Sequence, residues 1–171
     1  MASEGNAAMT ADAEPVRYIE RTRLYYRALG YERDYVWASF ADVPFARLGK
    51  PLAASRIALV TTAGPARAPG DDLPAGRHVW SGSTAMPPAS LFTDNLAWDK
   101  ESTHTRDRES FLPVVTAAAL ARDEGSFVGL TPRFHGVPTE YSQRKTIEED
   151  APQVLSRLRD DGADAAILCP L

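Results

Sequence analysis

Residues 57–64 read Ile-Ala-Leu-Val-Thr-Thr-Ala-Gly, and this stretch decides the fold. Four apolar residues precede two threonines, and the small residues Ala63 and Gly64 follow at once. A short apolar run that ends in small residues and glycine is typical of a buried parallel strand and its exit loop. The stretch therefore predicts a strand from Ile57 to Thr62 in the interior of a sheet.

Further strands and helices alternate along the chain on either side of this stretch. Short apolar runs predict strands at His78–Trp80, Phe127–Leu130 and Ala165–Leu171. Apolar spacing of three and four residues, together with alanine content, predicts helices at 15–29, 113–122 and 146–159, with Gly30 and Gly162 at two of their ends. Residues 64–76, 90–107 and 131–141 are rich in polar or turn-forming residues and predict loops.

This alternation predicts an α/β fold with a parallel sheet and helices on both faces, flavodoxin-like in arrangement. Residues 1–14 are expected to form a disordered arm, and residues 15–171 a single α/β domain. Within that domain, residues 15–55 supply a helix and an extended segment, and residues 56–171 supply the sheet. A parallel strand normally leads into a helix that covers the sheet, so the strand at 165–171 predicts a sheet that is incomplete at its C-terminal end.

Composition narrows the classes of function. The net charge of −4 gives no basic footprint for nucleic acid or an anionic membrane. The basic stretch from Arg17 to Arg33 is interleaved with Glu20 and Glu32 and reads as a solvated helix face. No run approaches the roughly 18 apolar residues that a membrane helix needs. The single cysteine, Cys169, and the lack of a signal peptide predict a cytoplasmic protein without an internal disulfide.

Several stretches, taken in order, resemble one known family. They are Tyr25–Gly30 (YYRALG), Pro44-Phe45, Lys50-Pro51-Leu52, Ile57–Gly64 (IALVTTAG), His104–Asp107 (HTRD) with Phe111 and Pro113, and Asp161–Leu168 (DGADAAIL). Together they are similar to the glycine/sarcosine/betaine reductase selenoprotein B and D-proline reductase family. The resemblance covers nearly the whole chain after the N-terminal arm, and it depends on the order and spacing of the motifs.

The resemblance implies an oxidoreductase subunit that reductively cleaves an amino acid or an N-methylated amine. In the family, selenocysteine or cysteine follows the last strand and a short turn, so the redox residue is expected after Leu171. The chain alone is then expected to be inactive and to contain no cofactor of its own. The resemblance also implies a small-molecule amine substrate and, as partners, other reductase subunits or further copies of the chain.

Candidate site residues fall where the resemblance and the strand ends coincide. Thr61, Thr62 and Gly64 follow the first strand, where backbone N–H groups form anion-binding nests. His104 and Arg106 are candidates for proton transfer or positive charge, with Asp107 orienting the histidine. The remaining candidates are His135, as a second site histidine, and Cys169, as a thiol that pairs with the expected redox residue.

Each candidate also has a structural interpretation. The threonines are equally suited to the end of a strand, His104 to an exposed loop, His135 to a turn and Cys169 to the core as a small hydrophobe. A catalytically inactive α/β module that binds a small molecule or a partner is the alternative function. A hydrolase using His104 and Asp107 is a third interpretation, although no nucleophile-elbow motif supports it. The spacing of histidine and cysteine predicts no metal site.

Overall fold

The computed structural model describes residues 17–34, 36, 38–43, 46–65, 78–93, 105–137, 139 and 142–171. Its contacts divide the chain into an N-terminal unit, Met1–Val43, and a sheet unit, Pro44–Leu171. The predicted N-terminal arm, residues 1–14, lies outside the described residues. The predicted start of the first helix at Pro15 lies outside them as well.

The N-terminal unit contains one helix, α1, at Tyr18–Ala28. Gly30 follows with a positive φ of 88°, which suits the predicted end of this helix because glycine enters that conformation without steric cost. Beyond the helix, the Arg27 guanidinium donates two hydrogen bonds to the Asp34 carboxylate. No residue of α1 is buried, and its contacts include the edge-to-face packing of Tyr26 against Tyr31, with ring centroids 5.5 Å apart.

Strand β1, Arg56–Thr61, is the centre of the sheet unit. Its residues from Ile57 to Thr61 are all buried, as the apolar sequence predicts. On one edge it pairs in parallel with β5, Ala165–Cys169, in the register Ile57 opposite Ala165 and Thr61 opposite Cys169. The carboxyl ends of these two strands therefore lie side by side.

The other edge of β1 pairs with two short strands in succession. Strand β3, Gly129–Leu130, lies beside the start of β1, and strand β4, Arg133–Gly136, lies beside its end, both in parallel. Strand β4 falls inside the predicted loop at 131–141, and that prediction is wrong for these four residues. Pro132 and Gly136 are residues typical of turns, but here Pro132 precedes β4 and Gly136 is its last residue, paired with Thr61 of β1.

Strand β2, Trp80–Ser83, pairs antiparallel with β4 and makes the five-stranded sheet mixed. The predicted α/β class and the parallel pairing around β1 are present, whereas the expectation of a wholly parallel sheet is wrong at this strand. Of the predicted segment His78–Trp80, only Trp80 belongs to β2. The residues of β2 are all half-buried. This suits an antiparallel strand, because one face of an antiparallel sheet can remain in contact with water.

Two helical segments accompany the sheet, close to their predicted positions. Helix α2 spans Val114–Glu124 and ends at Gly125, which has a φ of 62°. The second segment begins as α3, Gln143–Lys145, continues through one π-helical turn, Thr146–Asp150, and becomes α4, Ala151–Asp160. The Ser142 side chain caps its start by accepting from the Lys145 N–H. Gly162, with a φ of 68°, ends α4 as predicted.

A hydrophobic cluster lies on each face of the sheet. The larger one combines Ile57 and Leu59 with Phe111, Phe134 and the α2 residues Val114 and Ala117. The smaller one consists of Val60, Val79 and Val154, with Leu158 and Val137 packed against it. Burial of each large apolar side chain contributes about 1.5–3 kcal/mol, so both clusters are substantial. The two clusters agree with the prediction that helices cover both faces.

The larger cluster depends on close approach to two glycines. The Trp80 indole lies over Gly136, and its Nε1 donates to the Ala63 carbonyl oxygen at 3.1 Å. Trp80 and Phe134 meet edge to face with ring centroids 5.4 Å apart. Phe134 in turn lies against Gly82. The β2–β4 pair thus needs small residues opposite its two aromatic rings.

We predict that Gly136→Ala destabilises the fold by about 1–3 kcal/mol, because the new methyl group would overlap the Trp80 indole and force it out of place. Urea unfolding followed by circular dichroism measures the change. Gly49→Ala is the matched control, since a Cβ atom there meets nothing within 4 Å. Equal stability of the two variants would contradict this packing.

Candidate functional site

A groove of about 410 Å³ opens at the carboxyl ends of β1 and β5, against α4. Thr61, Thr62 and Cys169 line it on the strand side, which brings three of the predicted site residues together. The other lining residues are mainly apolar; they are Val60, Val137, Thr146, Asp150, Ala151, Val154, Leu155, Leu158, Leu168 and Pro170. Strand ends of parallel sheets are the usual place for a ligand in α/β proteins.

The helical wall of the groove follows from the sequence of α4. Asp150, Val154 and Leu158 recur every four residues, which directs them toward one side of the helix. Val154 is buried against the sheet and Leu158 packs beside it. Asp150 is also buried, and it is the acidic residue among the described lining residues. The surface that the groove presents is therefore almost wholly apolar.

The two threonines have different roles at the end of β1. Thr61 is fully buried, and its Oγ1 accepts from the Ala63 N–H at 3.3 Å, so it stabilises the turn that leaves the strand. Thr62 is half-buried, and its Oγ1 accepts from the Leu171 N–H at 2.9 Å. This second hydrogen bond holds the backbone that follows β5 beside the end of β1.

Gly64, Arg106 and Asp107 do not line the groove. The Gly64 N–H donates to the Phe92 carbonyl oxygen at 2.8 Å, so this amide is already paired and does not point to a ligand. Arg106 is exposed, and the Asp107 carboxylate accepts from the Glu109 N–H at 3.0 Å to cap a short 3-10 turn. Neither residue lines the groove. His104 lies outside the described residues.

Cys169 is a half-buried thiol in the wall of the groove. Burial raises its pKa above the usual value, because the apolar surroundings disfavour the thiolate. Its Sγ lies 3.9 Å from the Ile167 carbonyl oxygen. A thiol that stays protonated is a poor nucleophile, so Cys169 has the character of a lining residue.

His135 lies at the centre of a buried polar network between β4, β2 and α4. The His135 side chain is 0% exposed. Its Nδ1 lies 2.9 Å from Ser81 Oγ on β2, and its Nε2 lies 3.2 Å from Asp161 Oδ2, just beyond α4. Arg157 Nη1 donates to Ser81 Oγ at 2.8 Å, and the Arg133 guanidinium donates to both Asp161 oxygens at 2.7–3.1 Å. We call these five residues the His135 network.

The neighbours of His135 favour one tautomer. A hydrogen on Nε2 would face the Asp161 carboxylate 3.2 Å away, and Nδ1 would then accept from the Ser81 hydroxyl. The contact at Nε2 has the separation of an ion pair but not the geometry of a hydrogen bond. Burial lowers the pKa of His135, and Arg133 and Arg157 lower it further, whereas Asp161 opposes them. The imidazole is therefore neutral at pH 7.

The order Ser81–His135–Asp161 resembles the chain of groups in serine hydrolases. Two features distinguish these three residues from a catalytic triad. His135 is fully buried, so its ring offers no nitrogen to a leaving group, and the Ser81 oxygen already accepts from Arg157. The network connects a helix to the sheet, and this is the role that its contacts support.

Sequence reasoning found His135 but missed its partners and Asp150. Asp150 closes an acidic run, Glu148-Glu149-Asp150, and its spacing of four residues from Val154 could have distinguished it from its exposed neighbours. Ser81 alternates with Val79 and Trp80 in a way that could have placed it on the Val79 face of β2. Asp161 directly precedes the capping Gly162, and no sequence pattern marks it as a partner of His135.

Comparison with known proteins found no matching family model, no matching curated protein and no matching solved structure. The family resemblance therefore depends on the sequence motifs quoted above. Within the part of the chain that the structure describes, no group of three histidine, cysteine or acidic side chains could hold a metal ion. None of the helices in these described ranges has both the length and the apolar character needed to cross a membrane.

We predict that Cys169 reacts slowly with iodoacetamide at pH 7.5, by roughly tenfold relative to the same chain unfolded in urea, because its raised pKa leaves little thiolate. Intact-mass spectrometry follows the reaction, and one cysteine gives one product. Reaction at the same rate in the folded and unfolded chains would contradict a shielded, protonated thiol.

We predict that folding stability falls as the pH drops below about 6.5, the ordinary pKa of an unfolded histidine. The pKa of His135 is lower in the folded protein, so the unfolded chain binds the proton first as the pH falls. The free energy of unfolding therefore decreases below pH 6.5, by up to about 1.4 kcal/mol per pH unit. Urea unfolding between pH 7.5 and 5.5 measures the slope. His135→Gln should flatten it, and an unchanged slope in that variant would assign the effect to another group. Glu109 and Asp164 have lowered pKa values and contribute only at more acidic pH.

Proposed function

We propose that the sheet unit is the ligand-binding scaffold of a reductase subunit of the selenoprotein B type, acting on an amino acid or N-methylated amine of the glycine, sarcosine, betaine or D-proline class. The observation that carries this proposal is the groove at the carboxyl ends of β1 and β5, with Thr61, Thr62 and Cys169 in its wall. Two motifs of the family resemblance, Ile57–Gly64 and Asp161–Leu168, cover all but one residue of each of these strands. A cytoplasmic location accompanies this proposal.

The lining of the groove suits the hydrocarbon part of such a ligand. Its surface is almost wholly apolar, with Val154 and Leu158 on the helix side and the two threonines at the strand end. Asp150 is buried and already has an interaction within the protein. The assignment of an amine as the ligand comes from the family resemblance.

The proposed redox residue follows Leu171, where the family has selenocysteine or cysteine. The hydrogen bond from the Leu171 N–H to Thr62 Oγ1 holds the backbone after β5 at the end of β1, and the preceding Pro170 lines the groove. Cleavage of the carbon–nitrogen bond would take two electrons from the selenol and a nearby thiol, and a dithiol would reduce the resulting selenenylsulfide.

A partner is part of the proposal because β5 is poorly covered. Ile167 and Leu168 are 47% and 70% exposed, and among the described strands β5 pairs only with β1. An unpaired edge with apolar side chains is a site of association. Another reductase subunit or a second copy of the chain would cover it and give the more complete flavodoxin-like arrangement that we propose for the working protein.

The second candidate is a catalytically inactive module that binds a small molecule or a partner. The raised pKa of Cys169 favours it, because the described residues then provide a groove but no activated nucleophile. The two candidates share the groove and differ in whether a bound amine is cleaved.

We predict that the 171-residue chain binds at least one of glycine, sarcosine, betaine and D-proline in titration calorimetry. Leu155→Trp should weaken binding about 10- to 100-fold by filling the groove, whereas Val115→Trp, at an exposed position of α2, should have no effect. Circular dichroism verifies that each variant is folded. Lack of binding to all four amines would refute the proposal.

Whether the protein cleaves a bound amine is tested with protein purified from its native host. Selenium in the product and dithiol-dependent release of the cleaved amine would support the reductase. Amine binding without cleavage and without selenium would favour the binding module.

A further inference from the structure

The His135 network connects the groove wall to the sheet. Arg157 lies on α4 between Leu155 and Leu158, both of which line the groove, and Asp161 directly follows the helix. Through Ser81 and His135 these two residues join α4 to β2 and β4. The position of the groove wall therefore depends on a set of buried polar contacts as well as on the apolar cluster at Val154.

His135 is also adjacent to the groove itself. It lies opposite Val60 in the pairing of β4 with β1, and Val137 follows it by two residues. Val60 and Val137 both line the groove. A displacement of the imidazole or of Arg157 would thus move groove residues on two sides.

We propose that His135 is a positioning residue and that its protonation releases α4 from the sheet, so that ligand binding in the groove is weakened at acidic pH. This inference rests on the proposed function of the groove as a ligand site. It adds regulation by pH, through a residue that does not contact the ligand.

The balance of charge in the His135 network explains why protonation would release α4. The charged groups that face His135 are Arg133 on β4, Arg157 on α4 and Asp161 after α4, and β2 contributes the neutral Ser81. With a neutral imidazole, Arg133 and Arg157 lie near the Asp161 carboxylate, and Asp160 also attracts the partly exposed Arg133. Protonation places a third cation on the fully buried imidazole, where Asp161 is the carboxylate in contact with it.

The hydrogen bonds of the network would also be weakened by protonation of His135. A protonated Nδ1 becomes a donor and no longer accepts from the Ser81 hydroxyl. Ser81 Oγ would then receive hydrogen bonds from two cations, His135 and Arg157. Arg157 is the member that can leave, because its long side chain is half-buried and can reach water, and its departure removes a link between α4 and β2. The lowered pKa of His135 is consistent with this cost of protonation.

Two variants separate protonation from packing. In His135→Gln the amide nitrogen can take the place of Nε2 and donate to Asp161, and in His135→Asn the amide oxygen can take the place of Nδ1 and accept from Ser81. Neither side chain titrates between pH 5 and 7.5. His78→Gln is the matched control, because it removes a different, exposed histidine.

Two measurements at pH 7.5 and 5.0 test the proposal. The first is amide hydrogen exchange of α4 relative to α2, corrected for the intrinsic effect of pH on exchange. The second is the affinity for N-phenyl-1-naphthylamine, a neutral fluorescent probe of apolar grooves. In the unsubstituted protein and in His78→Gln, we expect protection of α4 to fall and probe affinity to drop at least about fivefold at pH 5.0. In His135→Gln and His135→Asn both should stay nearly constant.

The outcomes are distinct for the two proposals. Unchanged α4 exchange in the unsubstituted protein, or the same pH response in both His135 variants, would overturn the switch. Absence of probe binding at pH 7.5 would count against the groove, and therefore against the proposed function. If α4 exchange nevertheless depended on pH and on His135, the release of the helix would be upheld without its effect on a ligand.

Discussion

The pairing of β1 on both of its edges is the constraint on which the sheet unit depends. Residues Ile57–Thr61 are buried, so every backbone group of this strand needs a hydrogen-bond partner within the protein. β5 supplies one edge, and β3 and β4 together supply the other. Because three of these pairings are fixed in parallel register, the ends of β1, β4 and β5 meet at one side of the sheet, which is where the groove and the His135 network lie.

The two faces of the sheet are held in different ways. On the α2 face, Phe111 and Phe134 form a continuous apolar cluster, whose contribution is not directional and tolerates small shifts. On the α4 face the apolar cluster is small, and the end of the helix is attached through Ser81, His135 and Asp161. Hydrogen bonds and ion pairs depend on direction and on protonation state. The attachment of α4 therefore includes directional contacts, and the proposed pH response of the groove wall depends on them.

The sequence predicts those elements whose signal is local. The apolar run at β1 and the helix spacing at α4 gave the central strand and its covering helix within one to a few residues. β4 could not be predicted, because Pro132 and Gly136 look like turn residues and the reason for a strand there is the free edge of β1, a long-range requirement. The candidate site divides in the same way: Thr61 and Cys169 follow from strand ends, whereas the link from His135 to Arg157 exists only after α4 packs on the sheet.

The groove and the thiol within it together constrain the proposed chemistry. A site for thiolate chemistry needs positive charge or hydrogen-bond donors near sulfur. Within the described part of the chain, Cys169 has an apolar surround and a carbonyl oxygen 3.9 Å from its sulfur. The groove therefore disfavours its own cysteine as the attacking group. If the groove binds an amine, as we propose, the attacking group would be a different residue.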